Sequence, residues 1–127
     1  MDGIAFALLE GMQMIEKKSG NKIKKIMISG GGSSSNEICQ ITADIFNLPV
    51  FRVQTYETSA LGASLVGYVA NGTYSNFDEA TKAMVHEGDV FTPDSKNQVI
   101  YDALYHKVYK KLYKKMKPFY KEIGEII

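Results

Sequence analysis

The chain has 127 residues, a hydrophobic share of 45% and a formal net charge of +1, which fits one domain with an apolar core. The balanced charge excludes a chain-wide electrostatic preference for nucleic acid or an anionic membrane. The single cysteine, Cys39, excludes an internal disulfide, and the sequence contains neither a signal-peptide pattern nor a long apolar run, so it predicts a cytoplasmic location.

The first predicted element is a helix from Gly3 to about Lys18, capped by Asp2 and ended by Gly20. Apolar residues recur in it at steps of three and four, which is typical of an amphipathic helix. This stripe, which we expect to face the core, consists of Ile4, Leu8, Met12 and Ile15.

The stretch from Lys24 to Asp44 is the most informative part of the sequence. An apolar run within residues 23–29 predicts a strand, and because the run is continuous it favours a strand covered on both faces. Three glycines follow, Gly30–Gly32, then the polar residues 33–36, then apolar residues at helical spacing. The pattern predicts a strand, a glycine turn and a helix, in which Cys39 is core filler.

A glycine turn before a helix suggests an anion site. Glycines let another group approach the backbone closely, and the first amides of a helix have no intrahelical partner. Our first hypothesis is therefore nucleotide binding at Gly30 to Asn36. Neither the P-loop pattern nor the dinucleotide fingerprint occurs in the sequence, so a plain strand-to-helix connection is the alternative.

The second strand is predicted at Val50–Val53, after Pro49. Two strands joined through a helix imply a right-handed parallel crossover. Because ligands of such sheets lie beyond the carboxyl ends of the strands, the glycine turn and the loop Thr55–Ser59 are expected at the same edge. Glu57 in that loop is more simply a helix-start carboxylate than a ligand-binding group.

Two further helices are predicted, one over residues 60–70 capped by Thr58 or Ser59, and one capped by Ser75. A loop from Gly88 to Asn97 follows, within which Asp94 or Ser95 starts the last helix. The histidines, His86 and His106, are predicted to lie on the surface. No spaced set of metal-binding residues accompanies them, so the sequence predicts no metal site.

The last segment, residues 98–127, is predicted to be an amphipathic helical segment of the same domain. Its tyrosines are expected on the buried side and its lysines in solvent; the tyrosines are Tyr101, Tyr105, Tyr109 and Tyr113. A nucleic-acid or membrane-binding helix is the alternative, which we disfavour because tyrosines and lysines fall on opposite sides. Pro118 predicts a kink or break.

Together these motifs resemble the C-terminal part of the FGGY carbohydrate kinases, in particular the xylulose kinase-like members. The order and spacing match from Asp2 to about Pro118. The resemblance is carried by residues 3–8, the strand and glycine turn at 28–35, the helix and turn at 40–50, the loop and helix at 57–64, residues 71–74 and the tyrosine-rich last helix.

The resemblance implies an α/β fold, part of an actin-like, ribonuclease H-like ATPase domain, with short parallel strands packed with about five helices. It implies that residues 1–127 are a C-terminal nucleotide-binding domain that lacks an upstream sugar-binding domain. ATP would lie against Gly30, Gly31 and Gly32, with Ser35, or else Asn36, near the adenosine. The catalytic base and the Mg²⁺ ligands would lie outside the chain, so neither Asp44 nor Glu57 is assigned as a base.

The leading prediction is thus the ATP-binding portion of a kinase that transfers the γ-phosphate to a hydroxyl of xylulose or a related sugar and is inactive alone. The partners expected are ATP, a sugar in the longer protein, and a second copy in a homodimer. The alternatives are a non-sugar ATPase or regulator of the same fold, and a non-catalytic binding or scaffold domain. Exposed apolar patches and self-association of the isolated chain are also expected.

Overall fold

The computed structural model describes residues 2–126. In chain order the elements are α1 (Asp2–Ser19), β1 (Ile26–Ile28), a 3₁₀ turn (Gly31–Ser34), α2 (Asn36–Phe46), β2 (Val50–Val53), α3 (Thr58–Ala70), α4 (Phe77–Met84), β3 (Glu87–Phe91), α5 (Ser95–Leu104), a π-helical turn (Tyr105–Tyr109) and α6 (Lys110–Ile126). The α/β class is therefore confirmed, as is the strand–glycine turn–helix unit. None of these helices is long and apolar enough to cross a bilayer.

The sheet is mixed, not purely parallel as predicted. Its order is β1–β2–β3, with β1 and β2 parallel from the pair Ile26 and Val50, and β2 and β3 antiparallel. The prediction of a loop from Gly88 is wrong, because residues 87–91 form β3 at the sheet edge. This strand is mostly exposed and starts Glu-Gly-Asp, so it carries little of the apolar alternation by which strands are predicted.

The glycine at 88 lets β3 approach β2 closely. A Cβ built on Gly88 would lie 3.0 Å from the carbonyl oxygen of Arg52, in the middle of the facing strand. The pairing is irregular here, with a register shift between Phe51 and Val53. Only a residue without a side chain fits this contact unless the backbone moves.

The core lies where α1 crosses α2 and the C-terminal helices. Its buried residues are Phe6 and Leu9 on α1, Ile45 on α2 and Tyr105 in the π-helical turn. The ring of Phe6 also contacts Tyr101 and Tyr109, with ring centroids 6.5 and 5.2 Å apart. The predicted burial of the tyrosine face is thus confirmed for Tyr105, and Tyr101 and Tyr109 are partly buried against the core, but Tyr113 is 71% exposed.

The predicted inner stripe of α1 is wrong for most of its members. Ile4, Leu8 and Ile15 are exposed, whereas Phe6 and Leu9 are buried. The strand β1 is shorter than predicted, and Met27 on it is 45% exposed. Within residues 2–126, the expected cover on both faces of β1 is therefore not present, and an apolar groove of about 290 Å³ runs between β1, α1 and α2.

Helix starts are set by local caps. The predicted cap Asp94 is confirmed, since its side chain accepts a hydrogen bond from the backbone of Lys96. For α4 the cap is Asn76, not Ser75, because the Asn76 side chain accepts from the Glu79 backbone. For α3, neither Thr58 nor Ser59 is the cap, because both already lie inside the helix.

Of the kink or break predicted at Pro118, the break is wrong, because α6 continues through it from Lys110 to Ile126. A proline removes one helical hydrogen bond, and the remaining bonds of this long helix keep it helical. From residue 110 onward α6 has no buried residue. Most of its apolar side chains, including Leu112 and Phe119, are at least half exposed.

Candidate functional site

The glycine turn lies at the carboxyl end of β1 and directly before α2. Gly30 has φ 83°, a left-handed conformation that favours glycine. Hydrogen bonds from serine stabilise the turn. The backbone N–H and the hydroxyl of Ser33 both donate to the Gly30 carbonyl, at 3.0 and 2.7 Å. The Ser34 hydroxyl donates to the Gly31 carbonyl at 2.7 Å. The turn is therefore a defined shape and not a loose connection.

The outer side of the turn is open. A Cβ built on Gly30, Gly31 or Gly32 meets no protein atom within 4 Å. Of these three, Gly30 alone has positive φ, so the protein's own packing does not require glycine at 31 and 32. A close-lying ligand would require it, because a side chain there would occupy the ligand's place.

The two polar residues predicted to contact a nucleotide are placed differently. Ser35 is the N-cap of α2, and its hydroxyl accepts from the Ile38 backbone at 3.2 Å and donates to Glu37 at 2.6 Å. That hydrogen bond holds the pKa of the Glu37 carboxyl below its usual value. Asn36 is the first residue of α2, and its side-chain oxygen accepts from Arg52 at 2.9 Å.

Arg52 is the site residue that the sequence analysis missed. Its side chain on β2 is 9% exposed, and its Nη1 donates to the carbonyl of Ser33 at 3.0 Å as well as to Asn36. Its Nη2 forms an ion pair with Asp89 on β3, which raises the pKa of Arg52 further. The available signal was a lone arginine inside an apolar strand, a residue type rarely buried without partners.

Two buried polar side chains of α2 have structural partners. Cys39 is fully buried, its thiol donates to the Ser33 carbonyl at 3.5 Å, and burial raises its pKa; the prediction of a core role is confirmed. Asp44 is 2% exposed. It accepts hydrogen bonds from Gln40, the Asp94 backbone and Asn97, at 2.8, 2.7 and 2.9 Å. Asp44 thus joins α2 to the start of α5.

A groove of about 700 Å³ opens beside the turn, between α2 and α5. Its polar rim includes Asn36 and Glu37, and its apolar floor includes Ile41 and Tyr101. Asn36 therefore borders both the groove and the glycine turn. A hydrogen-bonding rim over an apolar floor suits binding of a molecule with a polar and a flat apolar part.

The remaining candidate residues do not add a catalytic centre to the described chain. The loop with Glu57 follows β2 at the same sheet edge as the turn, as the parallel pairing requires. His86 is exposed and His106 is half exposed, as predicted. Between residues 2 and 126, no group of three or more His, Cys, Asp or Glu is placed to hold a metal ion.

Comparison with known sequences gives consistent matches. The model of the C-terminal domain of the FGGY family of carbohydrate kinases matches residues 1–71. A xylulose kinase of Lactococcus lactis is 31% identical over 127 residues, covering 99% of this chain and 24% of the relative. A glycerol kinase of Dichelobacter nodosus is 37% identical over 79 residues, covering 62% of this chain and 16% of the relative.

Solved structures give the same picture. Xylulose kinase from Rhodospirillum rubrum matches with a TM-score of 0.72 and 28% identity, over 94% of this chain and 24% of that one. Gluconate kinase from Lactobacillus acidophilus matches with a TM-score of 0.77 and 24% identity, over 96% of this chain and 24% of that one; this likeness supports the fold alone. The chain spans about a quarter of these relatives. Its fold is confirmed as part of an actin-like ATPase domain.

Proposed function

The chain belongs to the FGGY family of carbohydrate kinases, and from this membership we propose that it forms the ATP-binding C-terminal part of a kinase that phosphorylates a sugar hydroxyl. The glycine turn is the observation that carries the proposal. It stands at the carboxyl end of β1, before a capped helix, with open space where three Cβ atoms would point. Such an edge is where ligands of parallel α/β sheets bind.

We assign the nucleotide to Gly30, Gly31 and Gly32, with Ser35 and Asn36 beside the adenosine. The open backbone of the turn lets a flat base or a sugar lie in contact with it. Because the Ser35 hydroxyl already caps α2, its contact with a nucleotide would use its remaining acceptor capacity. The Asn36 side chain is oriented by Arg52, which directs its amide nitrogen away from the guanidinium.

The proposal gives this chain a binding role and not a chemical one. Phosphoryl transfer needs a positioned base, Mg²⁺ and donors around the transferred phosphate. Within residues 2–126, no group of three or more His, Cys, Asp or Glu side chains is placed to hold Mg²⁺. We propose that the base, the metal ligands and the sugar site belong to the portion of the relatives that this chain does not cover.

The sugar is proposed to be xylulose or a related compound. The proposal comes from the relative that matches over 99% of the chain, a xylulose kinase. Relatives named for glycerol and gluconate also match, so this part of the protein is shared by kinases of different substrates. A homodimer and a cytoplasmic location stay predictions.

The site is tested by Gly31→Val in the complete kinase that carries this chain. A Cβ at this position meets no protein atom within 4 Å, so the fold should tolerate a small side chain there, whereas bound nucleotide should not. We expect KM for ATP to rise about tenfold or more, equivalent to the loss of one or two good contacts, with a smaller change in KM for xylulose. Coupled measurement of ADP release at varied ATP and at varied xylulose gives both constants.

The matched control is Gly124→Val, at an exposed position on α6 where a Cβ also meets nothing within 4 Å. It should leave KM for ATP unchanged. A wild-type KM for ATP in Gly31→Val would contradict the assignment of the nucleotide to the turn. It would favour the alternative, in which the turn is a plain connection between strand and helix. Equal weakening in both variants would point to a general effect on folding.

A further inference from the structure

We propose that Arg52 is a positioning residue for the nucleotide, holding the glycine turn and the start of α2 in the shape that binds it. This inference rests on the function proposed above. Arg52 is assigned no contact with the ligand. It acts through the two segments of the site that its guanidinium joins, the 3₁₀ turn and the first residue of α2.

One nitrogen makes both connections. Nη1 of Arg52 donates to the Ser33 carbonyl at 3.0 Å and to the Asn36 side-chain oxygen at 2.9 Å. Ser33 is fully buried and bonded in turn to the Gly30 carbonyl. The position of Gly30 relative to Asn36 is therefore fixed through Ser33 and the guanidinium, and these residues bound the proposed site on both sides.

Residues of the sheet and of the loop after β2 hold the guanidinium in place. Its Nη2 pairs with Asp89 on β3, and its central carbon lies 5.4 Å from the ring centroid of Phe91 and 6.0 Å from that of Tyr56. The close approach of β3 at Gly88 brings Asp89 within reach. The donors of the guanidinium are spread over separate nitrogens of one rigid plane, so Nη1 serves the turn and Asn36 while Nη2 serves Asp89. The three N–H donors of a lysine ammonium all lie on one atom, which cannot span these partners in the same way.

The test compares Arg52→Met, Arg52→Lys and Asp89→Asn in the complete kinase. Arg52→Met should raise KM for ATP about tenfold or more, because charged hydrogen bonds to the site are lost. Arg52→Lys should restore part of the affinity. Asp89→Asn keeps Arg52 but weakens its anchor, so it should raise KM for ATP by a smaller factor. KM for xylulose should stay near the wild-type value in all three.

Lys25→Met is the matched control. Lys25 also pairs with a β3 carboxylate, Glu87 at 2.6 Å, and lies over the Phe51 ring, but no hydrogen bond joins it to the described turn. Its removal should leave KM for ATP unchanged. If Arg52→Met unfolds the protein, Asp89→Asn carries the test alone, since Asp89 is 67% exposed and its replacement does not create a buried vacancy.

Coupling with Asn36 separates positioning from general stability. If Arg52 acts through Asn36, then Asn36→Ala with Arg52→Met should weaken ATP binding less than the product of the two single effects. Unchanged KM for ATP in Asp89→Asn and Arg52→Met, with a lowered Tm, would overturn the proposal and leave Arg52 a structural residue. If Arg52→Met and Asp89→Asn leave KM for ATP unchanged while Gly31→Val raises it strongly, the proposed nucleotide site still holds and only the role of Arg52 is wrong. If Gly31→Val also leaves KM for ATP unchanged, the proposed nucleotide-binding function of the turn is wrong as well.

Discussion

At the scale of single residues, the buried polar side chains have two kinds of partner: some contact the glycine turn, and others connect helices away from it. Arg52 contacts the glycine turn, whereas Asp44 fastens α2 to the loop before α5. Asp44 lies further along α2 and has no hydrogen bond to the turn among the described residues. Their hydrogen-bond partners make the distinction, because the sequence shows only that both are charged.

Replacing Asp44 by Ala should lower the free energy of unfolding by about 3 kcal/mol, because three donors lose a common buried acceptor. The donors are Gln40, the backbone of Asp94 and Asn97. Urea unfolding monitored by circular dichroism measures the change. The control is Asp102→Ala, since Asp102 is an exposed carboxylate that, among residues 2–126, pairs with His106 alone, and its loss should change stability by less than about 0.5 kcal/mol. Equal effects would contradict the assigned role of Asp44.

Residues with local roles were predictable and those with distant partners were not. Cys39, with apolar neighbours at helical spacing, was expected in the core and lies there. The turn at Gly30–Gly32 was predictable because successive glycines after an apolar run indicate a tight turn. Arg52 was not predicted as a site residue because its ion-pair partner lies 37 residues further along the chain. Its burial depends on β3, which the sequence did not indicate.

At the scale of elements, β3 decides both the topology of the sheet and the anchoring of the site. It turns a parallel pair into a mixed sheet and supplies Asp89 to Arg52. Its residues Glu87, Gly88 and Asp89 have low strand propensity, so tertiary pairing and not local preference makes this strand. The strand β2, by contrast, carries a β-branched apolar pattern and was predicted with its observed bounds, Val50–Val53.

Gly88→Ala should destabilise the protein by about 1–3 kcal/mol, since the added methyl group would press on the backbone of β2 and push the strands apart. The contact is 3.0 Å to the Arg52 carbonyl oxygen, with little room in a paired strand. Urea unfolding gives the magnitude, and faster hydrogen exchange at the β2–β3 amides would localise it.

Gly67→Ala is the counterpart on α3, where a Cβ meets nothing within 4 Å. Alanine in an exposed helix stabilises relative to glycine by up to about 1 kcal/mol, so the two substitutions should have opposite signs. A neutral or stabilising Gly88→Ala would mean that β3 does not pack against β2 as described.

At the scale of the whole molecule, the apolar surface is unevenly distributed. One cluster, from α1 and β1, includes Ile4, Leu8 and Met27, which are 68%, 61% and 45% exposed, around the apolar groove. We call it the α1–β1 patch. The sequence predicts a core position for both the apolar stripe of α1 and the strand β1. In the structure these two elements lie side by side in this patch. The sequence thus marked these residues correctly as apolar, but within residues 2–126 nothing covers them.

The relatives suggest why. They are about four times as long as this chain, and in a longer kinase further elements have room to pack over α1 and β1. We propose that the apolar pattern of α1 and β1 is suited to burial against such further elements. Periodicity reports which face is apolar and gives no information on the element that covers it.

The isolated 127-residue chain should consequently bind a hydrophobic dye and self-associate through the α1–β1 patch, because contiguous apolar surface is costly to expose to water. Leu8→Gln should reduce dye fluorescence and shift the chain toward monomer in sedimentation experiments, without lowering Tm, since Leu8 is already 61% exposed. The control Val66→Gln changes an apolar residue that is 56% exposed on α3 and lies outside the patch, so it should alter both signals less. If the two variants behave alike, association proceeds through the surface in general. If Leu8→Gln lowers Tm as a core substitution would, the patch is already covered in the isolated chain, and α1 packs differently from the arrangement described.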